Sequence, residues 1–338
     1  MTSHSIEYLF EYCRKVGFPY YRKDDYDLKE EFNKLTKFNC YDLMQGKKIG
    51  QTMHGLGLLW CYFPHSFDVK CNNLLSPLEV FNNDDTLMRA IAKVKKHAPN
   101  FSESSLRKRL RTFSGAQGVS NFRPSSAQCI YDHYAGEGIV WDMSGGYGGR
   151  MFGAVTSKSV RSYTCTEPCA LTAKGLNEFK DDVAHLHNKE VNVVQSGSED
   201  YLPEKGSLDL CFTSPPYFDC EKYSDEDTQS WKKFPNRDEW MDGFFKKTME
   251  NCVHGLKDNG VLIINIANVK SYGNICDHIN DVITGLGMTH HDTLQYALSS
   301  INAGGFKYEP TYVYTKGEIV PTAYERYNQS IDVEELFE

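Results

Sequence analysis

Residues 211–218 read Cys-Phe-Thr-Ser-Pro-Pro-Tyr-Phe and follow directly on a strand-like Gly-Ser-Leu-Asp-Leu. Proline has no N–H and a fixed φ, so Pro215 and Pro216 stop a β-ladder and hold the neighbouring carbonyls in rigid directions. A rigid carbonyl is a good acceptor. Ser214 places a hydroxyl acceptor beside it, and Tyr217 adds a flat ring. Two acceptors and an aromatic plate are what an exocyclic amino group needs if its N–H bonds are to be oriented and its lone pair left free. The same four residues would also serve as a plain proline-bounded strand end, so the surrounding chain decides between the two readings.

A second set lies upstream. Trp141-Asp142-Met143-Ser144 leads into glycines at 145, 146, 148 and 149. Glycines at a strand-to-helix turn let the backbone turn tightly and approach a ligand that a Cβ would hold off. About twenty residues further on, Glu167-Pro168 ends a second strand-like run, where an acidic side chain accepts hydrogen bonds from a ribose diol; a solvated glutamate is the alternative. A third run ends in Gln195-Ser196-Gly197-Ser198-Glu199-Asp200, where Ser198, Glu199 or Asp200 would face an adenine. No GxxxxGK[ST] loop is present, which disfavours a nucleoside triphosphate and points to an adenosine derivative without a polyphosphate.

These residues need elements to carry them. From about residue 138 short β-like runs alternate with helical patterns, the rhythm of a parallel α/β sheet. Strands are expected at 138–142, 161–167, 191–195, 207–212 and 261–267, with two Tyr- and Val-rich edge strands around 293–298 and 308–316. Leu176, Phe179, Val183 and Leu186 share one helix face. Trp240, Phe244, Met249, Cys252 and Leu256 share another, and Lys257-Asp258-Asn259-Gly260 reads as its glycine C-cap. Residues 1–120 show no such rhythm, and their fold is not assigned. The tail from 318 is acidic, as for a solvated terminus.

The chain has 338 residues, enough for a large core, with 40% hydrophobic and 24% charged residues. No apolar run approaches a membrane span and no secretory leader is apparent, so a cytoplasmic protein is expected. Eleven cysteines suit reduced, buried thiols; Cys165 and Cys169 lack a second ligand pair at zinc spacing, and no metal is expected. A net charge of −8 excludes a uniformly nucleic-acid-coating surface but permits a local basic groove. Leu-Arg-Lys-Arg-Leu-Arg at 106–111 is the densest basic stretch, either a phosphate contact or a solvated helix face.

Taken in order, the motifs resemble the S-adenosylmethionine-dependent amino-methyltransferases, which methylate adenine N6 or cytosine N4 in DNA. The likeness covers about residues 120–316. It implies a Rossmann-like seven-stranded α/β methyltransferase sheet with helices on both faces, plus an N-terminal extension of uncertain fold. The implied domains are a region 1–120 with a possible role in substrate recognition, a methyltransferase domain 121–317 and an acidic tail 318–338. It implies S-adenosyl-L-methionine as cofactor, DNA as partner, and catalysis by Ser214, Pro215, Pro216 and Tyr217. The cofactor would meet Arg123, Pro124, Asp142, Ser144, Gly146, Gly148, Glu167, Ser198 and Glu199. Two departures stand out. The family's Asp-Pro-Phe is here Asp142-Met143-Ser144, leaving the cofactor contact of the missing phenylalanine to Tyr147 or Phe152, and Ser198-Glu199-Asp200 stands where Gly-Asp is usual. The motif leans toward cytosine N4, with adenine N6, an RNA base or a protein glutamine as alternatives, and a catalytically inactive nucleic-acid-binding protein as a further one. No large recognition domain is expected after the last strand. Specificity is therefore expected from residues 1–120 or from the loop 219–240, where Tyr223, Trp231, Lys232 and Lys233 mix aromatic and basic character; a plain surface loop is the alternative.

Overall fold

The computed structural model describes residues 4–97, 100–136, 138–298 and 307–317. The acidic tail lies outside these residues. Strands are numbered in chain order. The N-terminal region contributes β1 (Met44–Gln45), β2 (Lys48–Ile49) and β3 (Lys70–Cys71). The α/β region contributes β4 (Ile139–Asp142), β5 (Ser162–Thr166), β6 (Glu190–Val194), β7 (Leu208–Thr213), β8 (Glu221–Lys222), β9 (Leu256–Asn265), β10 (Thr289–Ala297) and β11 (Tyr308–Thr315).

Nine of these form one sheet in the order β1-β2-β10-β11-β9-β7-β4-β5-β6. Strands β6, β5, β4, β7 and β9 run parallel, and β11 is antiparallel to both β9 and β10. The seven strands expected from the sequence are all present, and their α/β, Rossmann-like order reverses direction between β4 and β7. An open sheet has its ligand crevice at such a switch point, beyond the strands' carboxyl ends. Two strands of this sheet, and the separate pair β3 and β8, were not anticipated. The β1–β2 hairpin extends the sheet from the N-terminal region, with Lys48 and Ile49 opposite Gln295 and Tyr296 of β10.

The sheet forms because its strands are apolar on both faces and helices cover both. Leu210 and Phe212 point into one core layer with Val140, Tyr163 and Ile263, while Cys211, Trp141, Leu262 and Ile264 point into the other. The first layer is shared with the N-terminal region: Leu35, Leu59 and Phe63 pack with Phe152, Leu176 and Phe179. Phe63 contributes more than contact area here, since a Cβ on Gly175 would lie 2.7 Å from its ring. A separate N-terminal layer gathers Leu9, Val80, Leu87, Ile91, Leu106 and Leu110 from four helices.

One boundary differs from expectation. The helix carrying Trp240 to Cys252 ends at Gly255, and Lys257-Asp258-Asn259-Gly260 does not cap it but lies inside β9. The register against β7 slips there, from Leu208 opposite Leu256 to Leu210 opposite Val261, and Asn259 takes a left-handed φ of 66°. A bulge tolerates the same Asn-Gly chemistry as a helix end, which is why the sequence pattern misleads. No helix of the described residues is long and apolar enough to cross a membrane.

Candidate active site

The loops after β4, β5, β6, β7 and β9 open into a single cavity of about 580 Å³. Of the thirteen residues expected at the site, ten line it: Arg123, Ser144, Gly146, Glu167, Ser198, Glu199, Ser214, Pro215, Pro216 and Tyr217. Pro124, Asp142 and Gly148 do not.

Those three shape the wall from behind. Asp142, fully buried, accepts hydrogen bonds from Arg150 Nε at 2.9 Å, the Tyr163 hydroxyl at 2.7 Å and Ser144 N at 3.1 Å. Burial works against the Arg150 charge, and the adjacent Asp142 outweighs it, holding the guanidinium protonated. Arg150 also donates to the Ser144 carbonyl, so the pair braces the turn that follows β4. Gly148 is the N-cap of the helix Gly149–Thr156 with φ of 76°, a conformation that costs side-chain-bearing residues. At Gly149 the crowding is greater, since a Cβ there would lie 1.8 Å from the Phe122 carbonyl oxygen. Pro124 begins the helix Pro124–Tyr134, where its missing N–H costs nothing.

Glu167 is 8% exposed and accepts from Gly146 N and Cys169 N, each at 3.0 Å. Burial pushes its carboxyl up to about 7 against those two N–H bonds. The turn after β6 is fixed by Ser198 Oγ against Thr248 Oγ1 at 2.8 Å, and by Asn251 Nδ2 donating to the carbonyls of Ser198 and Glu199. The Glu199 carboxylate meets Lys233 at 2.6 Å, but its Oε2 is buried without a protein partner. Gln229 Nε2 and Trp231 Nε1 are likewise buried and unpartnered, and both residues line the cavity. Unpaired buried polar atoms cost about 1–3 kcal/mol each, so three of them around one cavity fit a polar ligand.

After β7, Ser214 and Pro216 are half-buried, and the Tyr217 hydroxyl donates to the Asn265 carbonyl at the end of β9, 3.4 Å away. Burial raises the Tyr217 hydroxyl well above its ordinary range, so it stays protonated. Its neighbour Phe218 has a left-handed φ of 60°, which turns the chain sharply away after the motif.

Of the two candidates for the missing phenylalanine's place, Tyr147 lines the cavity, whereas Phe152 is wholly buried against Phe32 and Phe179. The loop after β7 is pinned across the opening by β8 pairing with β3, by Glu226 accepting from Ala170 N, and by Thr228 Oγ1 donating to the Pro168 carbonyl. Tyr223 and Trp231 reach the cavity. Lys233 is held by Glu199 and Asp200, and Lys232 by Asp227. Two of the four basic residues of the stretch 106–111 are used inside the protein, while Lys108 stays exposed: Arg107 donates to the Pro19 and Tyr20 carbonyls and stacks on Tyr21, and Arg111 donates to the Val119 carbonyl over Trp60. Phosphate contact by the whole stretch is therefore set aside.

Sequence reasoning missed the part of the wall supplied by the N-terminal region, including Gln51, Asn72 and Gln117. Gln51 Oε1 accepts from Arg123 Nε at 2.7 Å, and nothing in the local sequence signals that pairing. It also missed Glu221 and Glu309.

Fold and cavity together define a Rossmann-like α/β sheet with an open ligand crevice beyond its strand ends. The family model described as DNA methylase matches residues 208–335, the part of the chain that begins at β7 and contains Ser214–Tyr217. Among curated proteins none matches. Solved structures similar to this chain include a methyltransferase from Pyrococcus furiosus, with 15% identity, TM-score 0.40, and 58% of this chain and 83% of that one covered. The N-methyltransferase NodS from Bradyrhizobium japonicum WM9 is 8% identical, with TM-score 0.39 and coverage of 54% and 88%. The magnesium protoporphyrin IX methyltransferase from Synechocystis PCC 6803, with bound SAM, is 11% identical, with TM-score 0.37 and coverage of 54% and 72%.

Proposed function

We propose that the protein transfers a methyl group from S-adenosylmethionine to the exocyclic amino nitrogen of a base flipped out of DNA, cytosine N4 or adenine N6. One observation carries this reading: Ser214-Pro215-Pro216-Tyr217 at the end of β7 faces the same cavity as the Gly146 turn and Glu167 at the ends of β4 and β5. Such a cavity brings an amino-orienting motif and an adenosine-sized site together without a phosphate loop.

The methyl donor supplies an electrophilic carbon on a sulfonium. Glu167 would hold the ribose hydroxyls, with its carboxylate already aligned by Gly146 N and Cys169 N. The Glu199 turn, Gln229 and Trp231 provide unpaired polar atoms for the rest of the ligand. Arg123, Ser144 and Tyr147 complete that wall. On the other side, Ser214 and the Pro215 carbonyl accept the two N–H bonds of the amino group and Tyr217 stacks on its ring, which fixes the nitrogen lone pair in line with the carbon. No covalent bond to the protein is required. The loop 219–236 and residues Asn72 and Gln117 would surround the extruded base, which pays an unstacking cost of a few kcal/mol.

The experiment is transfer of tritiated methyl from S-adenosylmethionine to DNA, RNA and protein, followed by nucleoside mass spectrometry. Label in N4-methylcytosine or N6-methyladenine of DNA supports the reading. Label confined to RNA or to protein glutamine, or none at all, overturns it.

A further inference from the structure

Ser214, Pro215, Pro216 and Tyr217 offer acceptors and a ring but no group that can keep a proton. An amino nitrogen that gains a methyl must lose a hydrogen, and a serine in the first motif position cannot take it as a carboxylate would. Besides Glu167 and Glu199, which the cofactor reading uses, two carboxyls outside the motif line the same cavity, Glu221 and Glu309. Glu221 is engaged, since it accepts the Tyr223 hydroxyl and sits in the β8–β3 pair. Glu309 is placed by a different device. Because β11 is antiparallel to β9, it brings its beginning to the edge where the parallel strands bring their ends, and Glu309 pairs with Tyr296 of β10 at that edge. On the same face of β11, Thr311 Oγ1 accepts from Asn265 Nδ2 at 3.0 Å, and the Tyr217 hydroxyl reaches the Asn265 carbonyl. Asn265 thus ties the motif ring to the strand that carries Glu309.

We propose that Glu309 is the proton acceptor of the methyl transfer, an inference that rests on the amino-methylation reading above. As the bond from the amino nitrogen to the methyl carbon forms, the carbon–sulfur bond of the sulfonium donor breaks and its electron pair stays on sulfur as a neutral thioether. The positive charge passes to nitrogen, and the nitrogen sheds one of its two protons to the Ser214 hydroxyl, whose own proton passes by way of the Tyr217 hydroxyl to the Glu309 carboxylate. The carboxylic acid then returns that proton to water.

The surroundings suit the role. Burial raises the Glu309 carboxyl, while Tyr217, Asn265 and Lys307 draw it back. The other titratable groups facing it are Glu221, Tyr296 and Cys276. A carboxylate raised toward working pH is a stronger base than an exposed one, and general bases contribute about 10²–10⁴-fold.

The test measures single-turnover methyl transfer to DNA from pH 5 to 9 for the intact protein, Glu309→Gln, Glu309→Asp and Glu221→Gln. Carboxyl carbon-13 titration of the free, glutamate-labelled protein accompanies it, with the Glu309 signal assigned by its loss in Glu309→Gln. The expected result is a rate that rises with pH through the Glu309 titration and falls about 10²-fold in Glu309→Gln with that limb lost. Glu309→Asp recovers part of the rate, and binding of S-adenosylmethionine changes less than twofold. The signal titrates above the usual glutamate range. If the unsubstituted protein is active but Glu309→Gln keeps its rate and pH limb, or Glu221→Gln alone loses them, or the Glu309 signal titrates as an ordinary glutamate, this inference falls and the amino-methylation reading stands. If the unsubstituted protein methylates no nucleic acid, both fall.

Discussion

Glu167 connects folding, pH and ligand binding in one side chain. Its carboxyl is pushed up to about 7 by burial, well above an unfolded value near 4.5, so its contribution to stability is complete below about pH 4.5 and is lost as pH rises through about 7. A shift of that size corresponds to about 3 kcal/mol at neutral pH. A ribose diol that donates two hydrogen bonds to the carboxylate reverses the sign for binding, because it favours the ionised form. If the bound ligand returns the carboxyl to its ordinary value, affinity for S-adenosylmethionine tightens by about 70-fold between pH 5 and pH 8. Glu167→Gln removes the titration. The variant is expected to bind more weakly at pH 8, with an affinity nearly flat in pH, and its unfolding midpoint should fall less steeply between pH 5 and pH 8. Isothermal titration calorimetry at five pH values, with thermal unfolding alongside, reads both. The same pH slope in the two proteins would refute the assignment of Glu167 to the ribose.

Tyr217→Ala and Ser214→Ala are each expected to lower methyl transfer by at least 10²-fold while leaving S-adenosylmethionine binding within about threefold, measured by tritium transfer and calorimetry. Asp142→Asn strands the buried Arg150 charge and is expected to cost about 3–5 kcal/mol in urea unfolding, with Asp142→Asn/Arg150→Met recovering part of the loss. Gly149→Ala forces a Cβ onto the Phe122 carbonyl and is expected to cost about 2–3 kcal/mol by the same measurement, with weaker cofactor binding as the 121–123 segment shifts.

The elements that carry the site were legible where side-chain periodicity and strand-end chemistry coincide. The runs leading to Asp142, Glu167, Ser198 and Ser214 end within a residue or two of their expected places, and ten of the thirteen expected residues meet in one cavity. Glu309 was not legible, because attention to the residues that follow strands overlooks a strand whose start reaches the edge. Gln51 was not legible either, since its partner Arg123 lies 72 positions away and the helices between them carry no common pattern. Arg107 and Arg111 misled for the opposite reason: a run of basic residues looks solvated until the carbonyls and rings that absorb it are in place.

The hairpin that adds β1 and β2 to the sheet has a consequence for engineering. Ile49 is wholly buried, Gln51 fixes Arg123, and Leu59 and Phe63 stand on the turn that begins at Gly148. Exchanging residues 1–120 with those of a homologue would therefore also remove part of the cavity wall. The loop 219–236 is held mainly by Glu226, Thr228, Lys233 and the short β8–β3 pair, and it carries Gln229 and Trp231 of the same cavity, so a graft there would have to keep Gln229, Trp231 and the Lys233–Glu199 pair.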